Sequence, residues 1–455
     1  MKETIGGLEH VVQRLRDGGE VLVLNTGAHI HPEAEAMLQA LHSRSSEGVR
    51  SHMKVLAEKG PDKFMSVYYV GYGHKSIGDC GTGTVFIEGV SMLAAKAVQD
   101  WMLYSGQECS TRYLDFGLQR FANPYGTENG KAVLEEWRNF YIALQEPVRA
   151  HLREQFPKPA EENEKIYEKA IIARSFDTLR CFLPAGATTN LAWHSNLRQF
   201  ADKITLLRHH PLSEVRDIAE TLEKALQESF PNSFQHKRYD ETEKYNECWM
   251  KHSYYFSVDN PCFSECSLTH NGVNVEQLEY YKAVLERRPP QTELPKFIGA
   301  CGAVQFDLLL DFGSFRDIQR HRAIVQRMPL LTPHFGFERW YLEQLPCDLR
   351  EKAECFIARQ LKIIESLEVS AEERQYYLPM GYRVPIRISG DLPSLAYLVE
   401  LRSSPSVHPT LQKKAVMMAE ELKDYFGQHG LRLHIQEGAG RFDIKRGKQD
   451  IVKKE

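Results

Sequence analysis

Residues 80–86 read Cys80-Gly-Thr-Gly-Thr-Val-Phe86, and a similar stretch, Cys301-Gly-Ala-Val-Gln-Phe306, returns in the second half of the chain. Both combine small, β-branched and aromatic residues in a pattern typical of a strand that begins after glycine. The first predicts a strand at residues 82–87, and the second a strand at residues 303–309. A strand that recurs in this way indicates two related segments in one chain.

Two longer landmarks also recur, in the same order. They are Leu183-Pro184-Ala-Gly186 with Leu378-Pro379-Met-Gly381, and Leu207-Arg208-His-His210-Pro211 with Leu401-Arg402 and the later His408-Pro409. Each His-Pro opens a helix-like stretch, at residues 212–226 and 410–425. Proline suits the first turn of a helix because its missing N–H would have no partner there. Each landmark alone could recur by chance, but their shared order predicts an internal duplication.

The secondary-structure pattern of the whole chain is mixed. A period of 3.6 residues predicts further amphipathic helices, and short apolar runs predict further strands. These helices are at residues 33–41, 131–155, 161–179, 275–287 and 349–367, and these strands at 67–72 and 431–435. Because helices and strands do not alternate regularly, the predicted fold class is α+β. We expect similar domains at residues 1–235 and 276–455, each a small, mainly antiparallel sheet packed with helices, and a linker at 236–275.

The composition is that of an ordinary globular protein. The 455 residues are 42% hydrophobic and 26% charged, with a formal net charge of −4, so electrostatics gives no reason to expect nucleic acid or a membrane as partner. No run of about 18 apolar residues predicts a membrane-spanning helix, and no signal-peptide core is present. We therefore expect a cytoplasmic protein whose nine cysteines are reduced thiols.

The region of the predicted linker contains four possible metal ligands, Cys248, Cys262, Cys266 and His270. The last three follow one another at helical spacing, so two thiolates and an imidazole could converge on zinc. No close Cys-x-x-Cys pair accompanies them. We therefore expect small buried cysteines in a connecting segment and no metal site.

Two polar motifs carry the functional signal. Arg320-His321-Arg322 places three basic side chains on the otherwise apolar, helix-like run 314–326. Because unpaired charge is costly to bury, the triplet favours an anionic partner such as a phosphate, a carboxylate or a flavin, although a solvated helix face is the plainer interpretation. The second motif is Gln107-Glu108-Cys109-Ser110-Thr111-Arg112-Tyr113, for which a helix N-terminus capped by Ser110 is the plainer interpretation.

Together these motifs resemble the flavin-dependent thymidylate synthase family, whose signature runs Arg-His-Arg-x-x-Ser-x-Asn-Glu-x-Ser-x-Arg-Tyr. The first half of the chain has Asp100-Trp101-Met102 in place of Arg-His-Arg, and the second half keeps Arg320-His321-Arg322 but has lost the rest. The remaining matches in the first half are Ser105, Glu108, Ser110, Arg112 and Tyr113.

The resemblance implies a split active site. In this family one subunit of a homotetramer supplies Arg-His-Arg and a neighbour supplies Glu-x-Ser-x-Arg. Here each site would be a hybrid of an N-terminal and a C-terminal half, and a homodimer would imitate the tetramer. We therefore expect Glu108 and Arg320 to approach one cavity, and the face at Asp100-Trp101-Met102 not to bind flavin.

The resemblance implies dUMP as the substrate. Arg112 and Arg180 match positions that hold its 5′-phosphate, for which a guanidinium supplies a bidentate fork. Arg208, or its counterpart Arg402, matches the arginine beside the uracil ring, where a cation favours the ionised ring. The sequence leaves open which of these two serves a hybrid site.

Further assignments follow from the same resemblance. The implied catalytic residues are Arg208, Arg402 and Ser110, and the implied substrate contacts are Glu108, Ser110, Thr111, Arg112, Arg180, Asp317 and Arg320. The family has glutamine at the position of Asp317, so this contact is a departure. On a helix, Asp317 would also lie one turn before His321 and could orient its imidazole.

The resemblance implies FAD as cofactor, NADPH as reductant and methylenetetrahydrofolate as carbon donor. His74, in Gly73-His74-Lys75-Ser76, matches the family's Gly-His-x-Ser, and Asn196 with Arg198 resembles the Asn-x-Arg that holds the flavin adenosine. The full set assigned to the cofactor is Glu108, His74, Thr84, Asn196, His210, Arg320, His321 and Arg322.

The predicted function is therefore FAD-dependent reductive methylation of dUMP to dTMP. The departures at Asp79, Cys80 and Asp317 leave open a related flavoenzyme that modifies C5 of another pyrimidine nucleotide. The loss of half the motif in each domain leaves open a non-catalytic descendant that binds nucleotide or flavin. The expected partners are dUMP, folate and a second copy of the chain.

Overall fold

The computed structural model describes residues 2–5, 8–24, 31–43, 49–71, 75–112, 115–124, 126–258 and 263–436. The strands are β1 (Lys2–Ile5), β2 (Leu8–Arg14), β3 (Glu20–Leu24), β4 (Thr82–Ser91), β5 (Ser105–Glu108), β6 (Thr188–Asn196), β7 (Cys266–Asn271), β8 (Ala303–Asp311), β9 (Val325–Arg327) and β10 (Arg383–Asp391).

The α-helices are α1 (Pro32–His42), α2 (Val49–Lys59), α3 (Asp62–Phe64), α4 (Met92–Gln99), α5 (Glu128–Gln155), α6 (Glu164–Leu179), α7 (Leu197–Leu207), α8 (Ser213–Ser229), α9 (Asp240–Ser253), α10 (Val275–Glu279), α11 (Lys282–Arg287), α12 (Phe312–Ile318), α13 (Arg339–Glu343), α14 (Cys347–Glu365), α15 (Ala371–Arg374), α16 (Leu392–Arg402) and α17 (Pro409–Phe426). Short 3-10 helices include Lys75–Cys80, Arg180–Phe182, Lys296–Cys301 and Gln375–Tyr377, and Met65–Gly71 is a π-helix. The mixture of helices with antiparallel sheets confirms the α+β class.

The chain folds into two compact units that are interleaved along the sequence. Unit 1 contains residues 1–109, 120–124 and 187–254, and unit 2 contains residues 110–119, 125–186 and 255–455. These units differ from the expected division at residues 235 and 276, because most of the chain between Ser110 and Gly186 belongs with the C-terminal part. The tract expected to be a linker includes helix α9 of unit 1 and strand β7 of unit 2.

Each unit is built on one antiparallel sheet. The sheet of unit 1 has the strand order β1-β2-β3-β4-β6-β5, and that of unit 2 has the order β7-β8-β10-β9. The long central pairs are β4 with β6 and β8 with β10. Alternate residues of these strands point into the core, where Val85 and Trp193 of unit 1 and Phe306 and Ile388 of unit 2 are fully buried.

The same capped junction joins each central strand to the helix that follows it. Ser91 ends β4 and accepts a hydrogen bond from the Ala94 amide at 3.0 Å. Such side-chain oxygens satisfy amides that have no partner in the first helical turn, which fixes where the helix begins. The corresponding caps of α7, α12 and α16 are Asn196, Asp311 and Asp391.

The two Leu-Pro-x-Gly landmarks lie side by side in unit 2. The Ala185 amide donates to the Leu378 carbonyl at 2.8 Å, and the Met380 amide donates to the Leu183 carbonyl at 2.8 Å. These bonds join equivalent positions in a reciprocal way, as a local twofold axis would. Gly381 has to be small here, because a Cβ atom would lie 2.2 Å from the Phe337 ring.

Most predicted elements are confirmed, with small shifts at their ends. The strands at 82–87 and 303–309 are the cores of β4 and β8, and the long helices are α1, α5, α6, α8, α14 and α17. The helix predicted at 275–287 is interrupted at Tyr280 and Tyr281, which leaves α10 and α11.

Two strand predictions are wrong. Residues 67–71 lie in the π-helix, where aromatic and β-branched side chains such as buried Tyr69 pack on helix α1; Tyr72 lies outside the described residues. Residues 431–435 pair with no described strand, and two amides of the segment 431–436 bind side chains instead. Glu400 accepts from the His434 amide and Ser403 from the Gln436 amide. Among the described residues, no helix is both long and apolar enough to cross a membrane.

Candidate functional site

The basic triplet follows helix α12 rather than lying on it. The helix begins at the Asp311 cap and ends at Ile318. The amide nitrogen of the Gln326 side chain binds the carbonyls of Ile318 at 3.2 Å and His321 at 3.0 Å, which holds the chain in a turn. The prediction of a helix through residue 326 is therefore wrong.

The side chains of the triplet separate at this turn. His321 is buried, and its Nε2 atom accepts a hydrogen bond from Arg402 Nε at 2.7 Å. Burial, together with the neighbouring Arg402, lowers the pKa of His321 to about 3, so the imidazole is neutral. Arg320 and Arg322 are exposed. The expected orientation of His321 by Asp317 is wrong, because Arg402 takes that role.

Arg112 is held in unit 2 by a buried aspartate. Its Nε and Nη2 atoms donate to the two carboxylate oxygens of Asp177 on α6, at 2.6 Å and 3.2 Å. Nη2 also donates to the Ser406 carbonyl at 3.2 Å. The Arg112 guanidinium, which the family resemblance assigns to a phosphate, thus binds the Asp177 carboxylate in a bidentate way.

Arg180 is almost fully buried, with 1% of its surface exposed. It donates from Nε to the Tyr341 hydroxyl at 3.0 Å, from Nη1 to Asp317 at 3.2 Å, and from Nη2 to the Ser314 hydroxyl at 2.6 Å. Gly313 makes room for this guanidinium, since a Cβ atom there would lie 3.2 Å from Arg180 Nε. Each of its three side-chain nitrogens is thus used within the protein.

Asp317 is the carboxylate at the centre of these arginines. Burial opposes its ionisation, but Arg180, Arg112, Arg320 and Arg402 outweigh that effect and lower its pKa to about 2. Asp317 is therefore an anion at any physiological pH. We call the set Arg112, Arg180, Asp317, Arg320 and Arg402 the arginine cluster; it joins residues from both halves of the sequence within unit 2.

A cleft of about 740 Å³ adjoins the helix that carries Arg402. Tyr397, Glu400 and Leu401 of α16 line it, together with residues 290–294 and 433–436. The Tyr397 ring lies 5.8 Å from the His321 ring, measured between centroids. The volume of the cleft is within the usual range of small-molecule sites.

Other assigned residues of the first motif are used in local structure. Ser110 Oγ accepts from the Arg112 amide at 3.2 Å, and Thr111 is buried. Glu108 ends β5 in unit 1 and accepts from the Gln99 side chain at 2.7 Å. Because Glu108 and Arg320 belong to different units, their expected approach to one cavity stays a prediction.

The assigned cofactor residues of unit 1 lie on its central strands and beyond. Thr84 on β4 is paired with His194 on β6, with 2.9 Å between Oγ1 and Nδ1, and Asn196 caps α7. His210 is buried, which lowers the pKa of its imidazole well below the usual value. Its Nδ1 accepts from the Leu212 amide at 3.1 Å, and its Nε2 has no hydrogen-bond partner among the described residues.

Arg208, the counterpart of Arg402, is neutralised in unit 1. It donates to Glu223 at 3.3 Å and to Glu243 at 2.8 Å. The counterpart of the triplet is likewise occupied: Asp100 pairs with Lys96 at 3.0 Å, and Trp101 Nε1 donates to the Gln199 side chain at 3.2 Å.

Three residues on which predictions rest, His74, Tyr113 and Cys262, lie outside the described residues. Burial raises the pKa of the Cys266 thiol to about 12, so it is protonated. Within the described ranges, no group of three or more His, Cys, Asp or Glu side chains could hold a metal ion.

Sequence reasoning missed the partners that hold the arginines, namely Asp177, Ser314 and Tyr341. Asp177 gave the only local signal, since it lies on the last turn of the helix that leads into Arg180. Ser314 and Tyr341 are far from Arg180 in sequence, so only the tertiary fold brings them together.

Comparisons with known proteins extend this picture. Residues 28–232 match the family model described as thymidylate synthase complementing protein. The chain is similar to a UPF0159 protein of Chlamydia muridarum, with 26% identity over 407 residues, covering 77% of this chain and 76% of that protein. A UPF0159 protein of Thermoplasma acidophilum is 25% identical over 440 residues, covering 80% and 87%.

Among solved structures, one similar chain is thymidylate synthase X from Helicobacter pylori, crystallised with FAD and dUMP. It is 20% identical, with a TM-score of 0.29, and the match covers 46% of this chain and 97% of that one.

Proposed function

We propose that the protein is a flavin-dependent thymidylate synthase, because residues 28–232 match the family model described as thymidylate synthase complementing protein. The proposed reaction is reductive methylation of dUMP to dTMP, with FAD as cofactor, NADPH as reductant and methylenetetrahydrofolate as carbon donor. The proposed site is the arginine cluster of unit 2, with the adjoining cleft.

One observation carries this proposal. Arg112, from the N-terminal motif, and Arg320, beside the C-terminal motif's His321, both act on the same carboxylate, Asp317. The resemblance requires these two motif halves to cooperate in one site. Their electrostatic coupling inside one compact unit supports a site of hybrid origin.

The exposed donors of the cluster fit an anionic cofactor. Arg320 and Arg322 are exposed, and a guanidinium pair suits a pyrophosphate or another oxyanion. When bound, FAD would carry the electron transfer that the reaction needs. Arg320 and Arg322 would hold its anionic groups, and the neutral His321 would pack at its edge without adding charge.

Arg402 is the arginine that we assign to the uracil ring. Its neighbours are His321 and the cluster, whereas Arg208 is held by two glutamates in unit 1. A guanidinium beside the ring would favour the anion at N3 and so make C5 more nucleophilic.

We also infer that the two halves are copies and that a homodimer forms. The reciprocal pairing of the two Leu-Pro-x-Gly segments in unit 2 supports duplication, because it joins equivalent positions. The four capped strand-to-helix junctions support it in the same way. The homodimer rests on the resemblance alone and is testable by light scattering.

The direct test of the function is a spectrum and an assay. We expect the purified full-length protein to show oxidised-flavin absorbance after incubation with FAD, and to form dTMP from dUMP, methylenetetrahydrofolate and NADPH. An Arg320→Ala variant should bind FAD with an affinity about tenfold lower or more. Arg359→Ala is the matched control, since Arg359 is an exposed arginine of unit 2 paired with Glu136.

The outcomes separate the alternatives. A protein that binds no FAD and forms no dTMP rejects the proposal. A protein that binds FAD but modifies UMP or dCMP instead would be the related flavoenzyme. The departure at Asp317, a carboxylate in place of the family's glutamine, is the observation that favours this second candidate.

A further inference from the structure

The carboxylate of Asp317 is the anion around which the arginines of unit 2 are arranged. It lies 3.2 Å from Arg180 Nη1, and Arg112, Arg320 and Arg402 also lower its pKa. Arg112 and Arg180 are the residues that the resemblance assigns to a phosphate. The anion that these arginines meet in the protein is thus a side chain.

The two assigned arginines have few donors left for a ligand. All three side-chain nitrogens of Arg180 have partners, and the residue is 1% exposed. Arg112 directs two nitrogens at Asp177, with 12% of its side chain exposed. A phosphate would have to compete for these donors with the hydroxyls of Tyr341 and Ser314 and with the carboxylates of Asp317 and Asp177.

We propose that Asp317 is a specificity-determining residue that competes with the phosphate of a nucleotide for the arginine cluster. The inference rests on the proposed function, because it concerns the pyrimidine ligand of the same site. A phosphate that bound Arg180 would share that guanidinium with the Asp317 carboxylate, which lies 3.2 Å from Nη1, and two anions in a partly buried site repel each other. The site should therefore gain little affinity from a ligand's phosphate.

Protonation does not relieve this competition. Although burial disfavours the ionised form, the surrounding arginines keep the pKa of Asp317 at about 2. The carboxylate therefore stays charged throughout the neutral range. A glutamine would remove that charge and still offer an oxygen to Arg180, so it changes the electrostatics more than the hydrogen bonding.

A purely structural role for Asp317, as the partner of Arg180, predicts something different. Loss of Asp317 would then weaken the binding of a nucleoside and of its monophosphate alike, because the site itself would be disturbed. Competition predicts a change confined to the ligand that carries the phosphate. The ratio of the two affinities therefore separates the two roles.

The test compares dUMP with deoxyuridine by isothermal titration calorimetry on the full-length protein loaded with FAD. We expect the unaltered protein to bind the two ligands with similar affinity. Asp317→Gln and Asp317→Asn should bind dUMP about tenfold or more tightly, and deoxyuridine as before. The control is Asp307→Asn, since Asp307 pairs with Arg387 at 2.8 Å and does not shift the pKa of Asp317.

Each outcome decides the question. A clear preference of the unaltered protein for dUMP overturns the inference, as does unchanged or weakened dUMP binding in the folded variants. The first comparison needs no variant, so it decides even if Asp317→Gln fails to fold. If neither ligand binds to any form of the protein, the proposed function fails and the inference fails with it.

Discussion

Lys96 and Arg208 of unit 1 are each paired with carboxylates of that unit, whereas Arg320 and Arg322 of unit 2 are exposed. In unit 1, Lys96 pairs with Asp100, and Arg208 lies between Glu223 and Glu243. Trp101, which replaces the histidine of the triplet, binds another side chain of the same unit. These side chains of unit 1 are thus used in ion pairs and a hydrogen bond within that unit.

In unit 2 the same positions carry a surplus of positive charge. Arg112 binds the Asp177 carboxylate and Arg180 binds that of Asp317, while Arg320 and Arg402 also lower the pKa of Asp317. Such a surplus in a partly buried place is unfavourable unless an anion joins it. The difference teaches that unit 2 keeps exposed guanidinium donors, at Arg320 and Arg322, whereas the motif residues named in unit 1 bind other side chains of that unit.

The largest effect should come from Arg180, which stands three residues before Leu183-Pro184, as Gln375 stands three residues before Leu378-Pro379. Arg180→Met removes the arginine that binds the partly buried Asp317 carboxylate and leaves the buried hydroxyls of Tyr341 and Ser314 without their donor, so it should lower the free energy of unfolding by about 3–5 kcal/mol. Gln375 is also fully buried and binds the Leu331 amide at 2.9 Å, but it is neutral. Gln375→Met should cost only about 1–3 kcal/mol. Chemical denaturation measures both, and equal losses would contradict the asymmetry of the two halves.

Arg402 and Arg208 should differ in the kind of loss they cause. Arg402→Met should reduce kcat/KM for dTMP formation about 100-fold, because it removes the cation beside the developing anion. Arg208→Met should lower stability instead, since it leaves Glu223 and Glu243 without their shared cation. Steady-state kinetics and thermal unfolding on both variants give the comparison, with Arg387→Met as the activity control. A larger kinetic loss at Arg208 would move the site to unit 1.

The fold was largely predictable where local patterns decide it. Strands β4 and β8 follow from alternating apolar residues, and helix α17 follows from the His-Pro that opens it. That Arg112 and the C-terminal motif act together in one site stays a prediction. These features depend on short spacing or on long motifs, both of which can be read along the chain.

The failures have causes that residue propensity does not capture. Helix α12 ends at Ile318, where the side chain of Gln326, eight residues further on, binds the Ile318 carbonyl. Residues 67–71 have strand propensity but form a π-helix, since Tyr69 is buried against other helical elements. The hydrogen bond from Arg180 to the Tyr341 hydroxyl could not be predicted, because no local sequence pattern links the two residues.

The pH dependence of stability should expose a third difference, between the caps Asp311 and Ser91. Burial, opposed by Arg180, raises the pKa of Asp311 to about 6, against an ordinary value of 3.8. A raised carboxyl pKa gives stability that is full below pH 3.8 and is lost as the pH rises through 6. Asp311→Ser introduces the residue that Ser91 supplies at the corresponding cap of unit 1. It should remove about 2–3 kcal/mol of the change in the free energy of unfolding between low and neutral pH.

Urea denaturation at several pH values between 4 and 8 measures this effect. The unaltered protein also contains buried neutral histidines, such as His321 with a pKa of about 3. Their stabilisation is present above pH 6.5 and is lost as the pH falls, opposite in sign to that of Asp311. The difference between Asp311→Ser and the unaltered protein removes the histidines from the comparison. Parallel curves would show that Asp311 does not titrate in this range.

The smallest effect tests whether unit 1 contributes to the site at all. Asn196 and Asp391 occupy equivalent caps, each 2.8 Å from the amide that it accepts. Replacing either with alanine should lower the free energy of unfolding by about 1 kcal/mol, because one amide of the first turn loses its acceptor. The resemblance assigns only Asn196 to the flavin adenosine. Asn196→Ala should therefore also weaken FAD retention, measured by equilibrium dialysis, whereas Asp391→Ala should not. If both variants retain FAD equally well, Asn196 is a structural cap like Asp391, and the cofactor is held without this contact from unit 1.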